Sequence, residues 1–232
     1  MIPKYIADPQ TRIQIREKAK NVREYLNLEN KKYIDIIKVI DDLQNEETLS
    51  YEILLDSDFD KIAKLYYQNI TPKELLNMPA FTDMRENHIY IRENNYNKAW
   101  DGDGIERMNL AHELGHVVMN ITGVKYELST SLVTPEAYRD PEWQAKCFAG
   151  EFLMNKDLVE NLSSEEIRQE CGVGSQSANY QKLKWLEEKN KAHWIIAVIQ
   201  CATKVEKCYI FQPSRKKIIA SFWSKYNEFS QI

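Results

Sequence analysis

The chain has 232 residues, enough for one larger domain or one domain with a small appendage. Apolar residues make up 43% and charged residues 28%, which supplies a sizeable core and excludes wholesale disorder. A net charge of −4 and a pI near 5.7 leave no overall basic footprint for tight binding to nucleic acid or an anionic membrane.

No apolar run approaches the roughly 18 residues needed to span a bilayer, and the opening MIPKYIADPQTRIQ lacks the apolar stretch of a signal peptide. Cys147, Cys171, Cys201 and Cys208 form no CxxC pair, which argues against a disulfide framework and a cysteine-based zinc knuckle. The expected compartment is a reducing cytoplasm.

Few glycines and prolines punctuate the chain, so it should be rich in helix, with no internal repeat. Thr11 to Leu26 reads as a first helix carrying Ile13, Ala19, Val22 and Leu26, and Lys32 to Leu43 as a second. Phe59 to Asn77 is helical in pieces, broken before Pro72. The period then changes. AFTDM and HIYIR alternate around Arg85-Glu86-Asn87 and predict a hairpin, followed by the polar loop NNYNKAWDGDG. Asp101 and Asp103 are read there as turn residues. A helix with HELGH comes next, then Ile121 to Arg139, mostly loop.

Asp140 as N-cap and Pro141 at the first helical position open a helix whose apolar stripe is Ala145, Phe148, Ala149, Phe152 and Leu153. Ser163 and Glu166 form a capping box for a short helix ending near Gly172. Ser175 to Glu188 is a further helix. The Ile-, Val-, Tyr- and Phe-rich end, from His193, reads as strands. The fold class is therefore α+β, mainly helical with a small sheet, and a boundary near Ser163 would separate residues 1–162 from a small region, 163–232, packed on them.

The chemistry concentrates in RMNLAHELGHVVMN. On an α-helix, residues four apart share a face, so His112 and His116 can present two imidazole nitrogens to one ion. Glu113 is rotated about 100° from His112 and is placed to act as base on a water instead. A bound zinc would lower the pKa of that water toward about 7. Met108, Ala111, Leu114, Val117 and Val118 make the helix largely buried, so its polar groups need partners. Gly115 inside it costs roughly 1 kcal/mol relative to alanine and points to close approach of another backbone.

A catalytic zinc takes three protein ligands. No third histidine follows closely, and His88 and His193 read as structural. Glu142 lies on the apolar stripe of the Asp140–Pro141 helix, where a carboxylate needs a cation or partner, so it is the expected third ligand. Glu151, about 180° around that helix, should face away.

These motifs resemble the ImmA/IrrE family of cytoplasmic bacterial and phage metallopeptidases. HIYIRENNYNKAW and ERMNLAHELGHVVMN are similar to the family's strand, loop and AHELGH helix, EWQAKCFAGEFLMN to its ExxANxFAxxLLMP segment, and ECGVGSQSANYQKL to the segment after it. The resemblance covers about Ala80 to Leu186 and implies a zincin-like fold with Zn2+ on His112, His116 and Glu142 and with Glu113 as base. It also implies a protein substrate, such as a helix-turn-helix repressor or an antitoxin-like regulator. Lys146 replaces the usual Asn, Asn155 the usual Pro, Gly174 precedes Ser175 where VS is usual, and Asn120 stands where His is common.

Two rival readings remain at this level. Ser164–Cys171, the Gly172-Val173-Gly174 turn and Ser175–Glu188 also look like a DNA-binding helix-turn-helix displaying Gln176, Ser177, Asn179, Gln181 and Lys182, although Glu165, Glu166, Glu170, Glu187 and Glu188 oppose phosphate. A structural or sensory zinc in a partner-binding module would have no use for Glu113. For the oxyanion, Tyr126, Tyr138 and Tyr96 are candidates by position.

Overall fold

The computed structural model describes residues 5–67, 70–128 and 136–209, with side chains to residue 196. The chain divides into two compact units, Met1–Lys182 and Leu183–Ile232. In chain order the elements are β1 (Tyr5–Ala7), α1 (Arg12–Tyr25), α2 (Ile36–Asn45), β2 (Ser50–Leu54), α3 (Asp56–Tyr66), α4 (Pro72–Leu76), β3 (Ala80–Asp83), β4 (His88–Arg92), α5 (Glu93–Trp100), α6 (Gly104–Ile121), β5 (Tyr126–Leu128), a 3-10 turn (Ala137–Arg139), α7 (Pro141–Leu153), α8 (Lys156–Val159), α9 (Ser164–Cys171) and α10 (Ser175–Tyr209). The division falls between Lys182 and Leu183, so α8, α9 and the first turns of α10 group with the elements before them.

Side-chain caps define the helix starts, the expected Asp140 and Ser163–Glu166 among them, while Asp103, read as a turn residue, is the N-cap of α6. Thr11 and Ser163 close full capping boxes with Gln14 and Glu166, Asp103 accepts from the Ile105 and Glu106 amides, and Asp140 accepts from Glu142 N ahead of Pro141. The turn before α6 is the expected one, with Gly102 at φ +88°.

The hairpin of β3 and β4 forms as expected, antiparallel, with Phe81 opposite Tyr90 and Thr82 opposite Ile89. On its other side β4 pairs in parallel with β2, giving the order β2-β4-β3 and leaving β3 at an edge. Both β2 and the antiparallel β1–β5 pair were unanticipated, because their partners are distant in sequence. Arg92 ties this layer to the helices over it. Its guanidinium meets Asp56 (3.0 Å) and Asp60 (2.6 Å) of α3 and donates to Leu75 O (2.7 Å) and Met78 O (2.8 Å). An aromatic cluster of Phe59, Phe81, Tyr66, Tyr67 and Tyr90 fills the space between.

Two segments correct the sequence reading. NNYNKAWDGDG is not all loop: residues 93–100 form α5, which packs on α6 and β4 and buries Ala99. Asparagine-rich segments have weak helix propensity, and tertiary packing overrides it here. Residues 193–209 are helix, not strand. No glycine or proline interrupts Ser175–Tyr209, so the helix propagates through an Ile- and Val-rich run that periodicity alone cannot distinguish from a strand. The remaining strand expectation, residues 210–232, lies outside the described residues. Among the described residues no helix is long and apolar enough to cross a membrane.

Candidate metal centre

Helix α6 runs through the core with Leu110, Ala111, Leu114, Val117 and Val118 all buried. It packs on α7, and α7 in turn on α1. Gly115 is the point of closest approach: a Cβ there would stand 3.0 Å from Ala145 O and 3.1 Å from Ala145 Cα. The glycine allows α7 to come near enough for its first turn to reach the histidines. Gln144, fully buried, anchors that turn by donating to Asp8 O (2.8 Å) and Tyr138 O (2.9 Å).

The result is a compact triangle of donors. His112 Nε2 and His116 Nε2 are 3.1 Å apart, and the Glu142 carboxylate oxygens lie 3.3 Å and 3.4 Å from them. Zinc–nitrogen and zinc–oxygen bonds of about 2.0–2.2 Å in a tetrahedron separate ligands by about 3.3 Å, so all three edges fit. At most one proton can lie between the two Nε2 atoms, and a shared cation removes the opposition of their lone pairs. The imidazoles are 15% and 12% exposed, while Glu142 is 61% exposed. Glu142 therefore reaches the histidines as expected, but from the rim of an open cleft and not from a buried stripe.

Electrostatics within the triangle agree with the geometry. Burial works against the charge of Glu142, yet hydrogen bonds and charge from His112 and His116 hold its carboxyl well below the usual range. Burial lowers His116 as well, but Glu142 and Glu113 outweigh it and raise the imidazole.

Glu113 stands beside the triangle, not in it, with Oε1 4.0 Å from His112 Nε2. It is 6% exposed, and Thr82 of β3 donates from Oγ1 to its Oε2 at 2.7 Å. Thr82 was not foreseen, because nothing local in sequence links β3 to α6. The cleft around these groups encloses about 2090 Å³ and is lined by β3, Tyr67, Tyr126 and the start of α10 as well as by the triangle.

Of the three tyrosines named from sequence, only Tyr126 lines this cleft, and its hydroxyl is buried without a partner among the described residues. Tyr138 is exposed and bonds Glu136, and Tyr96 stacks between Tyr51 and Trp100. Tyr67, unanticipated, lines the cleft. Burial first, then the charges of Glu113 and Glu142, push its phenol up, so it remains a donor at neutral pH.

His88 bonds Ser50 on the sheet (2.6 Å) and His193 is exposed on α10. Glu151 faces away from the triangle toward Arg12 and Arg16 of α1. Asn120 holds the hairpin turn, donating to Met84 O (2.6 Å) and Asn87 Oδ1 (2.7 Å), and Asn155 caps α8. The α9–α10 turn is clasped by Arg107 of α6, which donates to Cys171 O (3.0 Å), Gly172 O and Ile34 O (2.6 Å).

A buried helix offering two imidazoles, a carboxylate from the next helix and a second carboxylate beside them together define a metallopeptidase-type centre. Residues 96–181 match the family model of the IrrE N-terminal-like domain, peptidase family M78. The match is to the same ImmA/IrrE type of metallopeptidase that the motifs resemble, and the matched segment holds α6, α7 and the whole donor triangle. No curated protein and no solved structure gave a significant match to the chain.

Proposed function

We propose that the chain is a zinc-dependent endopeptidase that cuts a regulatory protein, such as a helix-turn-helix repressor or an antitoxin-like partner, in the cytoplasm. The observation that carries this reading is the donor triangle of His112, His116 and Glu142 with Glu113 hydrogen-bonded beside it. When bound, the metal supplies a Lewis acid for the scissile carbonyl and acidifies water.

The chain's own residues do the rest. Glu113 takes the proton of the attacking water and returns it to the leaving amine. Thr82 fixes the carboxylate in the orientation that this needs. Tyr67 and Tyr126 line the same cleft, and Tyr67, whose phenol stays protonated, is the candidate donor for the developing oxyanion. Among the described residues β3 has no strand on its outer edge, and it lines the cleft, so an extended segment of the substrate docks by strand addition. A folded protein offers few such extended segments, which favours cutting at few sites.

The test compares new protein N-termini in a cell extract treated with the wild type and with Glu113→Gln. A discrete cut in one DNA-binding regulator, absent with Glu113→Gln, is expected. Equal cutting by both would sink the mechanism, and no cut by either would sink the reading.

A further inference from the structure

A chamber of about 300 Å³ opens off the main cleft, between α1, α6, α7 and the start of α10. Met108, Lys146, Gln176 and Ser177 line both spaces and so mark the mouth between them. Past that mouth, Trp143, Cys147, Gly150 and Met154 carry the wall along α7. Arg12 and Gln181 also reach the wall, but they are engaged within it. Arg12 pairs with Glu151 at 3.1 Å and lies over the Tyr180 ring, and Gln181 is 1% exposed and accepts from Arg12 Nη1 (3.2 Å). The surface that the interior offers is mainly apolar, and the polar side chains of Lys146, Gln176 and Ser177 stand at the mouth.

The walls are set by the fold. Arg107 of α6 holds the turn before α10 through Cys171 O (3.0 Å) and Gly172 O. Gly104 lets the start of α6 lie against that turn, since a Cβ there would stand 2.5 Å from Val173 C. Gly150 lets α10 approach α7 in the same way, with a Cβ 2.7 Å from Gln181 Oε1. Ala178, fully buried, seats the first turn of α10. A pocket built in advance of its ligand loses little to ordering when the ligand enters.

Size and chemistry then select the occupant. A space of about 300 Å³ is underfilled by a small side chain, and unfilled apolar space forfeits its contacts. The thioethers of Met108 and Met154 and the indole of Trp143 favour a flat ring, because sulfur packs well at ring edges and rings pack on rings. The polar mouth suits the backbone of a chain lying in the cleft.

We propose that this chamber is the specificity pocket for an aromatic side chain of the cleaved protein. Met108 and Lys146 at its mouth each stand one helical turn from a member of the donor triangle, His112 and Glu142, which places the recognised residue close to the cut bond. The proposal rests on the endopeptidase reading above and names the side chain by which that enzyme selects its substrate.

The test reads binding and not cleavage. A randomised library of terminally blocked peptides is passed over full-length, zinc-loaded Glu113→Gln protein, and the retained peptides are sequenced. Phenylalanine, tyrosine or tryptophan enriched about tenfold over alanine at one position is expected. Ser177→Trp in the same background fills the mouth and should replace that enrichment by glycine or alanine. Trp143→Ala removes an interior wall and should lower it, with zinc content per chain unchanged. No aromatic enrichment, an enrichment unchanged in both variants, or no retained peptide would each overturn the pocket. Failure of the endopeptidase reading shows separately, as aromatic-selective retention by a protein whose wild type cuts nothing.

Discussion

Thr82 Oγ1 donates a 2.7 Å hydrogen bond to Glu113 Oε2, joining the edge strand β3 to the helix that carries both histidines. One hydroxyl thereby couples the strand on which a substrate would lie to the carboxylate that would act on it. Thr82→Val keeps the shape and removes the donor. The expected outcome is a fall in kcat of about tenfold to a hundredfold with metal content unchanged, and recovery in Thr82→Ser. Steady-state kinetics beside elemental analysis checks both halves; loss of metal in Thr82→Val would mean that the hydroxyl supports the ligands instead.

Gly115→Ala sets two effects against each other. Alanine improves helix propensity by about 1 kcal/mol. Its Cβ would meet backbone atoms of Ala145 at 3.0 Å and 3.1 Å, and backbone cannot give way cheaply. Overpacking of this kind costs roughly 1–3 kcal/mol, so the net effect is destabilising. Because the strain separates α6 from α7, the variant should also bind metal more weakly. Thermal melts and metal titration test this, and an unchanged affinity would contradict it.

Glu151 is the structural carboxylate of α7, in contrast to Glu142 beside the histidines. Its side chain is fully buried, with Arg16 Nε at 2.7 Å and Arg12 Nη1 at 3.1 Å. Glu151→Gln leaves those guanidinium groups without their carboxylate, and breaking a buried pair costs about 3–5 kcal/mol. A large fall in Tm with one metal retained per folded chain is expected. Loss of metal from folded protein would place Glu151 in the centre after all.

Cys171, at the end of α9 and fully buried, should report on packing through its titration. Burial pushes its thiol up to about 11 from 9.0. The folded state thus holds the proton more tightly than the unfolded chain does. The contribution is complete below pH 9 and is lost as pH rises toward 11, for a total of roughly 2–3 kcal/mol. Urea melts between pH 8 and 11 should show a steeper decline for the wild type than for Cys171→Ala. Parallel declines would exclude the effect.

The centre itself was legible because its information is local. HELGH sets His112 and His116 on one face by helical spacing, and Asp140-Pro141 sets the phase of α7 so that Glu142 reaches them. Thr82 and Tyr67 were not legible, because each depends on elements brought together only by folding. The strand β2 escaped notice for the same reason: its pairing with β4 is long-range. Residues 93–100 and 193–209 were misread where local composition opposed the outcome, asparagines inside α5 and β-branched residues inside α10.

The most direct measurement is metal content per chain, by elemental analysis, on protein prepared without chelator or metal-affinity resin. Wild type would be run beside His112→Ala and Glu142→Ala. The account predicts close to one zinc in the wild type, none in His112→Ala and a sharp reduction in Glu142→Ala. Wild-type protein that takes up no metal after equilibration with zinc, or Glu142→Ala that retains it fully, would contradict the three-ligand centre.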